Sequence, residues 1–209
     1  MLWLFTGGIL LAAYLLGAIP TGYIVSKVAR GIDIREHGSG NTGATNVFRV
    51  VGKGAGISVL SIDVLKGAGA VSFAQFVAAQ PVFPSEAQTW LMTLAALLAI
   101  LGHSKSVWLG FSGGKSAATG LGVLLALAWP VGLGTAAVFG LVVGCLRFVS
   151  LGSITAAIAA PLLMLLTQQP LPFCLLALAG GSYVVIRHRS NISRLIKGTE
   201  PKIGSSASV

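Results

Sequence analysis

Seven apolar runs follow one another along this chain, near residues 2–27, 56–80, 88–103, 116–129, 131–147, 151–168 and 171–187. Crossing a hydrocarbon core takes about 20 mainly apolar residues, about 17 at the least. In lipid the backbone must satisfy its own polar groups, and apolar runs of this length do so as helices. The run 116–129 is marginal in length. Pro130, Val131 and Gly132 break it from the next run, which predicts two short helices there and not one long one. The expected fold is an all-α integral membrane protein of about seven transmembrane helices, with six as the alternative count. Residues 1–203 read as a single polytopic membrane domain, and residues 204–209 as a disordered C-terminal tail.

Composition agrees and excludes a soluble cytosolic enzyme. Hydrophobic residues make up 55% of the chain and charged residues 9%, against about 25% charged in a soluble domain. Mean hydropathy is +0.88. The charge is lopsided, 14 Lys and Arg against 5 Asp and Glu, formally +9. In a membrane protein such an excess first marks cytoplasmic loops, and next anionic headgroups or anionic substrates, so no nucleic-acid partner is expected. The first basic residue is Lys27, so the first run lacks the cationic start of a secretory signal and reads as a retained helix.

Seven spans would put the N-terminus, 81–87, the break at 130 and 168–172 on one side. These carry no Lys or Arg, and their only acid is Glu86. Lys27, Arg30, Arg35, Arg49, Lys53, Lys105, Lys115, Arg147, Arg187, Arg189, Arg194, Lys197 and Lys202 fall on the other, and the fourteenth, Lys66, lies inside the second run. The expectation is therefore an N-terminus outside and a cytoplasmic C-terminus. Cys145 and Cys174 lie inside apolar runs without ligand or disulfide spacing and read as small core residues.

Three polar, glycine-rich segments all fall on the basic side. The first is Gly38-Ser39-Gly40-Asn41-Thr42-Gly43-Ala44-Thr45-Asn46-Val47-Phe48-Arg49. Glycines let backbone N–H groups turn toward an anion, and the hydroxyls, amides and guanidinium add donors. A flexible loop ahead of a helix cap is the plainer reading. The second runs from Gly102 and His103 to Phe111-Ser112-Gly113-Gly114-Lys115-Ser116-Ala117-Ala118-Thr119. It is not a nucleotide P-loop, because Leu109 stands where the first glycine is needed and no strand precedes it. Glycines, Lys115 and a following helix N-terminus still suit an anion, while Lys115 as a headgroup anchor is the alternative. The third is residues 187–200, a basic tail in which His188 and Asn191 share a helical face and Glu200 is the only acid. Asp63 and Lys66, also three apart, lie within the second run, either at a functional point or as a neutralising pair.

The pocket implied has many anion donors and few carboxylates. A site holding divalent metals on a diphosphate would need more acids, so CDP-alcohol phosphatidyltransfer is disfavoured. The acyltransferase pattern H-x-x-x-x-D is absent, since Thr42, Trp108 and Ser193 stand five residues after the three histidines. An anion or sugar-phosphate transporter is the alternative class. It would place polar groups deep in several spans, whereas the runs after residue 120 contain almost none that ionise.

These segments resemble the three motifs of the bacterial integral-membrane acyl-phosphate:glycerol-3-phosphate acyltransferases, the PlsY family. The pattern GSGNxGATNxxR is matched by residues 38–49, a DxxKG element by residues 63–67, and RHRxNIxRLxxGxE by residues 187–200. The resemblance extends over about residues 10–200. One departure lies in the second motif, usually GGKGVAT, where Ser116 replaces a glycine. If that glycine supplies a positive φ, Ser116 strains the loop; if it starts a helix, Ser116 caps it. The cap is the favoured expectation.

The resemblance implies transfer of a fatty acyl group from acyl phosphate to the 1-hydroxyl of sn-glycerol 3-phosphate. Products would be 1-acylglycerol 3-phosphate and phosphate, the first step of bacterial phospholipid synthesis. It implies no cofactor, no metal and no direct acyl-CoA or carrier-protein donor. It places the chain among the lipids of the bacterial inner membrane, with its active site cytoplasmic and a possible coupling to the enzyme that makes acyl phosphate. Ser39 and Arg49, with Gly38, Gly40, Asn41, Thr45 and Asn46, are expected to hold the acyl-phosphate head. Gly113, Gly114, Lys115 and Ser116, with Lys66 and His103, are expected at a phosphate. His188 and Asn191 are expected at the attacking hydroxyl or the oxyanion, with Glu200 and Asp63 structural. Either His188 or the leaving phosphate takes the proton.

Overall fold

The structure, a computed structural model, describes residues 2–81 and 83–204. Among these the chain forms ten α-helices: α1 (Leu2–Ala18), α2 (Thr21–Arg30), α3 (Ala44–Val50), α4 (Lys53–Ala78), α5 (Ser85–Ser104), α6 (Ala117–Leu127), α7 (Trp129–Leu146), α8 (Val149–Leu166), α9 (Leu171–Arg187) and α10 (Arg189–Ile196). They fall into two compact units, residues 1–127 and 128–209.

In the first unit α1, α4 and α5 pack around Ile9, Ala13, Ala70, Ala74, Ala78, Phe83, Leu91, Ala95 and Ala99. Alanine at so many contacts lets helix backbones approach closely, the usual solution where lipid removes the hydrophobic drive for association. The α4–α6 contact is closest. A Cβ on Gly67 would strike the Thr119 carbonyl, and one on Gly122 the Val64 carbonyl. Pro20 separates α1 from α2. The carbonyls left open there are taken by side chains: Ser106 Oγ donates to Ala18 O at 2.6 Å and Lys66 Nζ to Ile19 O at 2.8 Å. A second small core of Ile34, Val47, Val51 and Val59 seats α3 on α4.

In the second unit α8 packs between α7 and α9. Pro130 lies in the first turn of α7, where its missing N–H is no loss. The break predicted beside it falls at Ala128, with φ −152° and ψ 84°. His188 stands between α9 and α10, whose axes bend by 59°. Ile203 N–H donates to Arg147 O at 2.8 Å and the Arg147 guanidinium to Ile203 O at 3.1 Å. Gly204, the first residue of the expected tail, is described and takes φ +76°; residues 205–209 lie outside the described residues.

Among the described residues, five stretches are long and apolar enough to cross a membrane: Trp3–Arg30, Lys53–Ala78, Ala87–Ser104, Trp129–Leu146 and Val149–Leu166. The bent pair α9–α10 makes six. The run expected at 116–129 accounts for the difference from seven. Its helix has only 11 residues, about 16 Å of rise against a core of about 30 Å, because the polar turn before Ala117 and the break at Ala128 cut it short. Large apolar side chains such as Trp3, Leu4, Phe76, Leu162, Leu166 and Leu178 face outward, as an integral membrane protein requires of its lipid-facing surface.

Candidate active site

The first motif folds as a tight loop leading into α3. Gly38 and Gly40 take φ +61° and +68°, the left-handed region that glycine enters at no steric cost. Asn46, in the first turn of α3, is the hub of this loop. Its Nδ2 donates to the carbonyls of His37 at 3.0 Å and Asn41 at 2.9 Å, and its Oδ1 accepts the Ser39 N–H at 2.9 Å. Asn41 Oδ1 accepts the Gly43 N–H at 2.8 Å. Asn46, expected at the acyl-phosphate head, has its amide buried and engaged by its own loop. Ser39 and Arg49 are exposed. Thr45 shares a face of α3 with Arg49, four residues on.

Nearby, Asp33 accepts a forked contact from the Arg35 guanidinium, the shorter arm 2.6 Å. The hydrogen bond from Arg35, working against a little burial, holds the Asp33 carboxyl at about 2.

Asp63 and Lys66 form a buried ion pair at 2.8 Å. His103 completes it, with Nδ1 3.5 Å from the same Asp63 oxygen. Charges survive at such a place only when each has close partners, and Lys66 finds its second in the Ile19 carbonyl.

After His103 the second motif turns through a short 3-10 helix, Val107–Leu109, and comes back on itself. Phe111 N–H donates to Ser106 O at 2.8 Å, and Gly114 N–H to His103 O at 3.2 Å. The expected cap at Ser116 is overturned. Ser116 takes φ +64°; its buried Oγ donates to Ile100 O at 2.8 Å, and it is the Ser116 carbonyl that accepts from the first turn of α6, the Gly120 N–H at 2.7 Å. The serine stands in the positive-φ position a glycine would fill, and a hydrogen bond to α5 offsets the strain.

A pocket in the first unit is lined by Thr21, Gly22, Thr42, Asp63, Lys66, His103 and Ser106, with Ile19, Pro20 and Leu109. Residues from the first motif, the α4 pair and the second motif thus meet at one place. Thr21, Gly22 and Ser106 were not singled out by the sequence reading. Ser106 closes the polar run His103-Ser104-Lys105-Ser106, a signal that could have found it.

The third motif lies in the second unit. His188 Nδ1 is 2.8 Å from Val184 O, and since a carbonyl only accepts, Nδ1 carries the proton. Asn191 Nδ2 donates to Glu200 Oε1 at 2.6 Å, and Arg194 Nε to Glu200 Oε2 at 2.7 Å. Burial would raise the Glu200 carboxyl, but the Ser150 hydroxyl, the Asn191 amide and the Arg194 guanidinium around it hold it below its ordinary value. Ser150 also went unread in the sequence. Among the described residues no group of three His, Cys, Asp or Glu side chains stands close enough to share a metal ion.

The sequence profile of the family described as Glycerol-3-phosphate acyltransferase matches residues 7–198. The chain belongs to the glycerol-3-phosphate acyltransferase family. Relatives named glycerol-3-phosphate acyltransferase include one from Trichormus variabilis, 55% identical over 97% of this chain and 94% of its own. One from Nostoc is 56% identical over 95% and 92%. Two crystal structures of PlsY (YgiH), an integral membrane glycerol 3-phosphate acyltransferase, are also similar at 37% identity. Its glycerol 3-phosphate form superposes with TM-score 0.85 over 95% of this chain and 96% of that one. Its lysophosphatidic acid form gives 0.83 over 95% of each.

Proposed function

We propose that this chain transfers a fatty acyl group from acyl phosphate to the 1-hydroxyl of sn-glycerol 3-phosphate, releasing phosphate and 1-acylglycerol 3-phosphate. The observation that carries the reading is the meeting of the first motif, the Asp63–Lys66 pair and the second motif at one pocket, in a family whose members bear this acyltransferase name.

An acyl phosphate is a mixed anhydride with a good leaving group, so positioning and charge stabilisation are the main demands. Ser39, Arg49 and the backbone of the Gly38–Gly40 turn hold the acyl-phosphate head, and the Gly113-Gly114-Lys115 loop holds the phosphate of the acceptor. The hydroxyl oxygen bonds to the acyl carbon. The tetrahedral oxyanion then collapses, and the bond to the phosphate oxygen breaks. With Nδ1 protonated against Val184, a neutral His188 presents Nε2 as the group that accepts the hydroxyl proton. Asn191, its amide directed by Glu200, stands ready to orient the hydroxyl or the oxyanion.

The same reading takes residues 1–203 as one polytopic enzyme of the bacterial inner membrane. Its N-terminus is outside and its motifs are on the cytoplasmic side, where the basic residues cluster. A seventh crossing would be completed by α6 with the irregular segment before it, which is tolerated at membrane depth when covered by protein. Acyl phosphate would come from an enzyme coupled to this one.

Phosphate release from palmitoyl phosphate by the purified protein in detergent tests the donor. Release should require glycerol 3-phosphate, proceed without CoA or carrier protein, and fall sharply in Ser39→Ala. Turnover with palmitoyl-CoA but not with palmitoyl phosphate would overturn the donor assignment.

A further inference from the structure

His103 touches the Gly113–Gly114 turn through both its backbone and its ring. Its carbonyl accepts the Gly114 N–H at 3.2 Å, and the same carbonyl occupies the space a Cβ on Gly113 would need. Its ring covers Gly114. A Cβ built there would collide with Nε2, with Cε1 at 2.9 Å and Cδ2 at 3.0 Å close behind. The ring is not free to swing away. It is buried, and Asp63 Oδ1 lies 3.5 Å from Nδ1. Asp63 is itself fixed by Lys66 at 2.8 Å, and Lys66 by the Ile19 carbonyl at 2.8 Å. A chain of contacts thus runs from the α1–α2 break through α4 to the loop carrying Lys115.

We propose that His103 is a positioning residue, its ring pressed on Gly114 fixing the shape of the Gly113-Gly114-Lys115 loop for a phosphate monoester acceptor. This reassigns His103 from the phosphate contacts expected of it to the support beneath them. It also explains why residue 114 must be glycine, since Gly114 is not among the glycines with positive φ and the space above it is filled by the ring. That the loop receives glycerol 3-phosphate rests on the function proposed above.

A double-substitution cycle tests the contact. Asn at position 103 keeps a nitrogen near Nδ1 for Asp63 but lacks the outer ring atoms that face Gly114. The full chain is prepared as wild type, Gly114→Ala, His103→Asn and the double variant, each assayed for KM and kcat toward glycerol 3-phosphate at saturating palmitoyl phosphate, with thermal midpoints alongside. Gly114→Ala should raise KM at least 10-fold with a smaller change in kcat, and His103→Asn should raise it several-fold. The double variant should come within a few-fold of His103→Asn alone, because removing the ring makes room for the methyl. Multiplying effects, or Gly114→Ala indistinguishable from wild type, would overturn the proposal. If Gly114→Ala does not fold, recovery of folding in the double variant is the expected result, and failure of the double where His103→Asn folds overturns it. Wild type inactive with both substrates would remove the functional reading, while the midpoints still report whether ring and methyl compete.

Discussion

The Nδ1 atom of His188 lies 2.8 Å from the carbonyl oxygen of Val184, one turn earlier in α9. A carbonyl only accepts, so Nδ1 is the donor in this contact, and in the proposed function Nε2 receives the hydroxyl proton. His188→Gln should therefore lower kcat by about 10²–10⁴-fold, the usual range for a lost general base, with KM for both substrates changing less. A kcat within a few-fold of wild type would assign the proton to the leaving phosphate.

Glu200 is buried and held by Asn191 and Arg194 at 2.6 and 2.7 Å. Glu200→Gln keeps the shape but loses the charge, and should cost about 1–2 kcal/mol of stability, a moderate value because Arg194 is partly exposed. The folded-state carboxyl titrates below its ordinary value of 4.5. Its contribution is therefore present in full above that value and is lost as pH falls through the lower, folded-state one. Thermal midpoints from pH 3 to 7 should fall less steeply on the acid side in Glu200→Gln than in wild type. Parallel profiles would contradict the assignment.

Ser116 combines φ +64° with a hydrogen bond of 2.8 Å to Ile100 O. Ser116→Ala keeps the strain and loses the bond, so it should destabilise by about 1 kcal/mol. Ser116→Gly loses the bond but sheds a left-handed penalty of about 1–2 kcal/mol, and should stay within about 1 kcal/mol of wild type. Chemical denaturation in detergent measures both. Alanine at least as stable as glycine would show that the serine backbone is not strained.

Asn46 holds the first loop through His37, Asn41 and Ser39. Asn46→Ala should leave several loop groups unsatisfied, at about 1–3 kcal/mol. It should also raise hydrogen exchange across residues 37–43 and impair activity without touching substrate. Unchanged exchange with lost activity would return Asn46 to the phosphate contacts.

Helix positions were largely legible because apolar runs long enough to span lipid have one satisfactory backbone solution. The shortness of α6 was only half legible. Its run looks apolar to residue 129, but Ala128 breaks it, and alanine carries no breaker signal. Motif order pointed to segments whose Thr42, Asp63, Lys66 and His103 line one pocket, yet composition does not tell a residue that contacts a ligand from one that supports the contact. Asn46 and His103 read as ligands because amides and imidazoles suit anions; the loop carbonyls around Asn46 and the Gly114 turn against His103 are tertiary neighbours that composition does not carry. Ser116 failed as a cap because its φ depends on the loop's return path against α5, a tertiary property.

Attack of the acceptor hydroxyl on the acyl carbon of an acyl phosphate leaves that hydroxyl's oxygen in the product ester. Glycerol 3-phosphate carrying 18O in its 1-hydroxyl, incubated with palmitoyl phosphate and the purified protein, tests it by mass spectrometry of the products. The expected products are 1-palmitoylglycerol 3-phosphate with the label retained in the ester bridge, and unlabelled inorganic phosphate in equal amount. Unlabelled ester, label in the released phosphate, or free palmitate as the sole acyl product would contradict it.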